Sequence, residues 1–314
     1  MEKRIIYLDN AATTPMYKEA VEVMLPYFTE RFGNPSSQYG LANEGKRAIE
    51  AARKQIAATI GARPEEIFFT GSGTEADNWA IKAVAQAYRE KGRHIITTKI
   101  EHHAVLHTCE ALEREGYRVT YLTPDEDGII SPESLFRVLT PDTILVSIMT
   151  ANNEVGSLQP IRAIAELAKQ NEVYFHTDAV QAIGHIPIDV KELDVDLLSA
   201  SAHKFNGPKG IGFLYVKKGT PISQYSNGGS QEFGLRAGTE NVASIVGMAV
   251  ALKKNCDAIE ENAKYMGLLE AKLLDGLSES GVDFIRNGAT QRVPGNISLS
   301  FRGADGEALL HRLD

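Results

Sequence analysis

Apolar residues along this chain fall into two alternating patterns. Short continuous runs such as Ile67-Phe68-Phe69-Thr70 are aromatic or β-branched, which predicts strands buried on both faces. Between such runs lie longer stretches with apolar or small residues every three or four positions, as in Leu41, Ala48, Ile49, Ala52, Ile56 and Ile60, which predicts amphipathic helices. Strands are predicted at 67–70, 94–98, 117–122, 143–149, 173–177, 197–201 and 211–216, and the N-terminal Ile5-Ile6-Tyr7-Leu8 also reads as a strand. Helices are predicted at 17–31, 38–60, 74–88 and 104–115, from Pro132, and after Pro160. This alternation implies an α/β fold, with a mostly parallel sheet covered by helices on both faces. After about residue 252 the pattern changes. A charged helical stretch (about Asn255 to Leu277) precedes the strand-like Gly295–Phe301, which predicts a second, smaller α+β domain.

Composition narrows the class. With 314 residues, 43% hydrophobic and 24% charged, the chain is an ordinary globular one and not a disordered one. The 33 basic against 41 acidic residues leave a net charge of −8, the wrong balance for a nucleic-acid binder. No apolar run approaches the ~18 residues of a membrane span, and the start Met1-Glu2-Lys3-Arg4 lacks the features of a signal peptide. A cytoplasmic protein without membrane or nucleic-acid partners is therefore expected. The two cysteines, Cys109 and Cys256, do not indicate a disulfide framework.

In a parallel sheet, ligands sit beyond the carboxyl ends of the strands, and four strand ends here carry chemistry. Thr70-Gly71-Ser72-Gly73-Thr74-Glu75 opens onto a helix N-terminus, which suits either a phosphate or a plain turn capped by Thr74. Asp178 ends an apolar strand, where a carboxylate is costly unless a cation meets it or it caps a helix. Ser201-Ala202-His203-Lys204 ends the next strand and offers a desolvated amine or a solvated loop lysine. Glu101-His102-His103 leads from a fourth strand into a helix. Together, a phosphate cradle, an acid, a lysine and an imidazole are the parts of a pyridoxal phosphate site: the lysine forms a Schiff base and the acid keeps the pyridine nitrogen protonated. His103 and His107, one helical turn apart, have no third ligand in view, so no metal site is expected.

The run of motifs Leu8-Asp9-Asn10-Ala11-Ala12-Thr13-Thr14-Pro15, Phe32-Gly33-Asn34-Pro35-Ser36-Ser37, Thr74-Glu75-Ala76-Asp77-Asn78, Glu101-His102-His103-Ala104-Val105-Leu106, Asn152-Asn153-Glu154-Val155-Gly156, Thr177-Asp178-Ala179-Val180-Gln181, Ser201-Ala202-His203-Lys204 and Arg236-Ala237-Gly238-Thr239-Glu240-Asn241 resembles the cysteine desulfurases, pyridoxal phosphate enzymes of the class V aminotransferase group. The resemblance implies a fold-type I architecture: a large cofactor-binding domain at 16–252, and a smaller α+β domain formed by 1–15 and 253–314. It implies that Lys204 holds the cofactor and later moves protons, that Asp178 pairs with the pyridine nitrogen, and that Gln181 donates to the phenolic oxygen. His102 matches the imidazole that stacks on the ring and joins acid–base steps. Gly73, Thr74, Ser201 and His203 match phosphate contacts, and Asn153 matches an asparagine near the substrate carboxylate. Thr239 matches a threonine that reaches the phosphate of the other subunit, which implies a homodimer. The implied reaction turns L-cysteine into L-alanine and leaves sulfur as a persulfide on a protein cysteine thiolate. From there it passes to an acceptor protein, an iron–sulfur scaffold or a tRNA-thiolation enzyme.

Two departures stand out. The family's catalytic cysteine lies in a loop shortly after the segment matching Gly306–Asp314, and a later arginine binds the substrate carboxylate; the 314 residues contain neither. Cys109 reads as a buried small hydrophobe, and Cys256 as a residue near a helix start. The expectation is a truncated or incompletely represented small domain with an exposed sheet edge, in a chain that keeps the cofactor site but forms no persulfide. The second departure is Phe233, where the family often has a basic residue. Alternatives are another class V enzyme (an aminotransferase or a selenocysteine lyase) or a non-catalytic, dimer-forming partner.

Overall fold

The computed structural model describes residues 6–313. Nine strands and eleven helices follow one another along it. The strands are β1 (Ile67–Thr70), β2 (His94–Thr98), β3 (Arg118–Leu122), β4 (Thr143–Ser147), β5 (Tyr174–Asp178), β6 (Leu197–Ser201), β7 (Gly212–Val216), β8 (Phe284–Arg286) and β9 (Leu299–Phe301). The helices are α1 (Lys18–Met24), α2 (Pro26–Thr29), α3 (Gly40–Thr59), α4 (Gly73–Ala87), α5 (His103–Arg114), α6 (Pro132–Phe136), α7 (Ile161–Gln170), α8 (Val190–Leu193), α9 (Val242–Asp257), α10 (Ile259–Glu279) and α11 (Gly306–Leu313).

Strands β1 to β7 form one sheet in the order β1-β7-β6-β5-β4-β2-β3. All neighbours are parallel except β7, which runs antiparallel to both β1 and β6. The carboxyl ends of β1, β5 and β6 therefore share one edge of the sheet with the start of β7. The long apolar strands need cover on both faces and have it. One cluster packs Trp79, Val84, Val105 and Leu112 of α4 and α5 against Leu145, Leu197 and Leu214. A larger one packs Ile49, Ile56, Ile164, Ile245 and Leu252 of α3, α7 and α9 against Val146, Phe175, Leu198 and Phe213. Beyond this unit, β8 and β9 form a two-stranded antiparallel sheet beside α10.

Several boundaries differ from the pattern's forecast. The helix expected at 17–31 divides at Pro26, whose missing N–H starts a new helix instead of continuing α1. Ile6, Tyr7 and Leu8 make no strand: Ile6 is 76% and Leu8 87% exposed, and no strand pairs with them; Ile5 lies outside the described residues. The stretch expected to begin helically near Asn255 is two helices meeting at Ala258, and Cys256 sits in the last turn of α9, not at a helix start. Strand β8 was not legible, because three residues, two of them exposed, carry no periodic signal.

Candidate active site

A cavity of about 250 Å³ opens at the carboxyl edge of the large sheet, lined by Gly73, Thr74, Asp77, Asp178, Ser201 and Lys204 together with Ala12, His102, Asn153 and Gln181. His203 completes the wall. Nine of the ten residues singled out from the sequence thus meet around one space, although they lie on five separated segments. The tenth, Thr239, is exposed on the 226–240 loop and does not line the cavity.

Each side chain is placed by its strand end. Asp178 is the last residue of β5; its Oδ1 accepts the Val180 N–H at 2.8 Å. Burial raises its carboxyl to about 6, against the pull of that N–H and of the Lys204 charge. Lys204 follows β6 in a short 3₁₀ turn, and its Nζ donates to the carbonyl oxygens of Ala11 and, at 3.0 Å, Ala12. Burial holds its ammonium below the usual lysine range, with Asp178, Asp9 and Glu154 opposing. The segment that supplies those carbonyls is itself fastened to the lysine's turn. The Thr14 N–H donates to the His203 carbonyl at 3.0 Å, its hydroxyl donates there at 2.8 Å, and Gln181 donates to the Ala11 carbonyl at 3.0 Å.

His102 is the N-cap of α5, and its Nδ1 accepts the Ala104 N–H at 3.1 Å. That bond leaves Nε2 as the nitrogen that carries a proton in the neutral ring. Burial, then the Lys204 charge, lowers its pKa, and His203 is lowered by the same two causes in the same order.

The Gly71–Thr74 turn is tighter than its glycines alone suggest. Ser72, not Thr74, caps α4, taking the Glu75 N–H at 3.1 Å. A Cβ on Gly73 would stand 2.8 Å from Val180 Cγ2 and 3.1 Å from Ser201 Cβ, so only glycine brings the backbone this close to the β5 and β6 ends. Gly212 of β7 does the same from beneath, since a Cβ there would lie 2.9 Å from the Ser72 carbonyl carbon. Free N–H groups at the start of a 15-residue helix, with Ser201 beside them, suit a phosphate. The Gln231–Arg236 segment is tied down next to it by two ion pairs. Arg236 reaches Glu75 at 2.8 Å, and buried Arg53 of α3 pairs with Glu232, whose carboxylate also takes the Phe69 N–H at 2.9 Å. Glu232 and Phe233 both have positive φ, and Phe233 stacks over Arg53, 5.1 Å from its guanidinium carbon.

Sequence reasoning passed over Ser72, Asp77 and Gly212. Asp77 was detectable as an acid one turn into α4 on its apolar face, beside Ala76 and Ala80. Neither cysteine belongs to the site. Cys109 is buried on the inner face of α5 and pushed up to about 12, and Cys256 is pushed up to about 11, by burial in both cases. No group of three or more potential metal ligands occurs among the described residues.

This constellation has a family counterpart: the sequence profile described as Aminotransferase class-V matches residues 6–314. The chain belongs to the class V aminotransferases. Proteins of this family and its cysteine desulfurases depend on pyridoxal phosphate, and the residues present fit that cofactor, with a glycine-only cradle, an acid and a desolvated lysine around one cavity. Among this class V chain's relatives, the cysteine desulfurase IscS of Methanosarcina thermophila is 53% identical over 98% of this chain and 76% of its own length. The cysteine desulfurase IscS of Clostridium botulinum (strain Hall) is 50% identical over 98% of this chain and 79% of its own. A solved NifS-like protein superposes with a TM-score of 0.95 at 42% identity, covering 99% of this chain and 85% of that one. A second structure, SspA in complex with cysteine, has a TM-score of 0.84 at 37% identity, covering 98% and 86%. These neighbours share the fold-type I arrangement of a mostly parallel seven-stranded sheet flanked by helices.

Proposed function

We propose that this chain is a cysteine desulfurase that takes sulfur from L-cysteine, leaves L-alanine, and works as a homodimer with a sulfur-accepting protein partner. The observation that carries the reading is the convergence of Lys204, Asp178, His102 and the Gly73-Thr74 turn on one cavity, in a chain about half identical to named cysteine desulfurases over nearly its whole length. When bound, pyridoxal phosphate supplies a ring that takes up the electrons released at the substrate's α-carbon. Asp178 holds the proton on the ring nitrogen, and its Oδ2, which takes no hydrogen bond from the described residues, is the oxygen free to do so. The Gly73 and Thr74 amides, with Ser201 and His203, hold the phosphate. Lys204 attaches the cofactor and, once displaced by substrate, moves protons at the α-carbon. Its lowered pKa keeps a larger share as free amine than a solvated lysine has. His102 moves a proton through Nε2, Gln181 donates to the phenolic oxygen, and Asn153 orients the substrate carboxylate. Thr239, exposed and outside the lining of its own chain's cavity, serves the cavity of a second copy.

Under this reading the large domain spans 16–252, with 1–15 and 253–314 in the small one, and the protein acts in the cytoplasm. No helix among the described residues is long and apolar enough to cross a membrane. The acceptor is an iron–sulfur scaffold or a tRNA-thiolation enzyme. The persulfide step requires a thiolate at the cavity, which neither Cys109 nor Cys256 provides.

The test is borohydride reduction of the cofactor-loaded protein followed by peptide mapping. The expected result is one modified peptide containing Lys204, absent from Lys204→Ala. A modification that persists in that variant overturns the assignment. Product analysis with L-cysteine separates a desulfurase, which makes alanine, from a transaminase, which makes a keto acid.

A further inference from the structure

Behind Asp178 lies a row of buried polar groups that the proposed reaction leaves unused. Ser147, His176 and Ser199 stand side by side on β4, β5 and β6, on the face covered by α4. The His176 ring spans the other two, with Nδ1 2.8 Å from Ser147 Oγ and Nε2 2.9 Å from Ser199 Oγ. Asp77 of α4 packs onto this row. It is 1% exposed, its Oδ1 lies 3.6 Å from His176 Nε2, and that oxygen has no hydrogen-bond partner although the residue lines the cavity. A buried carboxylate oxygen without a donor is costly, and nothing in the proposed chemistry accounts for this one.

The groups facing Asp77 decide its charge. From β5 it faces Asp178 and His176; from β6, Ser199; from the turn after β2, Glu101, which is also buried and has one unpartnered oxygen. Two of these neighbours are acids. His176 cannot supply a cation, since burial takes its imidazole down to about 3. Lys204, the one lysine or arginine among the described residues that line the cavity, acts on Asp178, and the Val180 N–H favours charge on Asp178 as well. Asp77 has only the Ser199 hydroxyl in favour of its anion, and burial with the neighbouring acids drives its carboxyl well above the usual range. Neighbouring buried carboxyls do not both ionise.

We propose that Asp77 is a positioning residue kept in its acid form: packed on Ser199 and His176, its neutral carboxyl backs Asp178 and leaves the negative charge of the pair on Asp178 alone. The functional half of this rests on the reading of Asp178 as the partner of the cofactor's ring nitrogen. The acid form of Asp77 does not depend on that reading, and the test keeps the two apart.

Infrared spectra of the cofactor-free protein read the acid form directly. At pH 7 a protonated-carboxyl C=O stretch is expected, to which Asp77 and Glu101, raised to about 8, both contribute. One part of it is expected to vanish in Glu101→Gln and the other in Asp77→Asn. A wild-type spectrum with no such band at pH 7, or a band that Asp77→Asn leaves unchanged, overturns the proposal. The functional half is read from the pH dependence of the pyridoxal phosphate dissociation constant. An amide imitates a neutral acid, so Asp77→Asn should bind cofactor within about threefold of wild type with an unmoved acid limb. Asp77→Leu, which offers His176 and Ser199 no polar partner, should bind on the order of tenfold more weakly. An acid limb displaced to lower pH in Asp77→Asn would mean that a charge had been removed, and would overturn the proposal. Asp178→Asn is run in parallel; unchanged affinity there overturns the reading of Asp178, while the infrared band still decides the state of Asp77.

Discussion

Glu101 shows at residue scale how a buried polar group leaves a mark on stability. Its Oε1 accepts the Thr98 hydroxyl at 2.8 Å and the Met149 N–H at 3.0 Å, its Oε2 has no partner, and burial lifts its carboxyl from 4.5 to about 8. The folded protein keeps this proton over a range where the unfolded chain has lost it. The resulting stability is therefore full below pH 4.5 and is lost as pH rises to about 8. His176 works in the opposite sense: lowered from 6.5 to about 3, it destabilises the fold as pH falls through that range. Each slope amounts to about 1.4 kcal/mol per pH unit, so the two offset each other between 4.5 and 6.5. The unfolding midpoint of the cofactor-free protein should fall between pH 6.5 and 8, and Glu101→Gln should lessen that fall, leaving the part that Asp77 contributes. An equal slope in the variant, measured by thermal denaturation, would place the lost proton elsewhere.

At the scale of elements, the turn from β1 into α4 is held from three sides. Gly212 of β7 permits its approach, Ser72 caps its helix, and the Arg236–Glu75 pair clips it to the 226–240 loop. Gly73→Val would drive a branched side chain into Val180 and Ser201. The expected result is a folded protein, since α4 keeps its cap and its apolar face, with pyridoxal phosphate affinity down by an order of magnitude or more, equivalent to at least about 1.4 kcal/mol. Equilibrium dialysis beside a thermal melt checks both halves, and near-normal affinity would remove this turn from the phosphate site. The turn was half legible in the sequence. The glycines and the following helix marked a place for an anion, but the capping residue depends on which serine or threonine adopts extended backbone, which spacing does not fix. In the same way, Pro26 was visible as a helix-starting residue while the break at Leu25 was not drawn from it.

At the scale of the whole molecule, Thr239 tests whether two copies build one site. In a mixed dimer of one Lys204→Ala chain with one Thr239→Ala chain, the cavity that keeps Lys204 receives an intact Thr239 from its partner. That dimer should therefore bind one cofactor with wild-type affinity, while the other cavity lacks both residues. Weakened binding at the lysine-bearing cavity would instead assign Thr239 to its own chain. Much of the large unit could be read along the chain. Apolar strand runs alternating with amphipathic helices fixed the α/β class, because a strand with no polar face must be covered on both sides. Lys204, Asp178 and His102 stood out as polar groups following strand ends, and Gly73 as part of a glycine-rich turn. Their convergence could not be read locally: it follows from the order β1-β7-β6-β5 and the reversal of β7, which set the ends of β1, β5 and β6 on one edge. Nor could the state of Asp77. By itself the sequence determined which residues can carry charge and which segments must be buried, since both follow from side-chain chemistry and period. Only the tertiary structure decided which buried acids face one another, because a carboxyl's proton depends on neighbours that folding brings from α4, β5 and β6 to within a few ångströms.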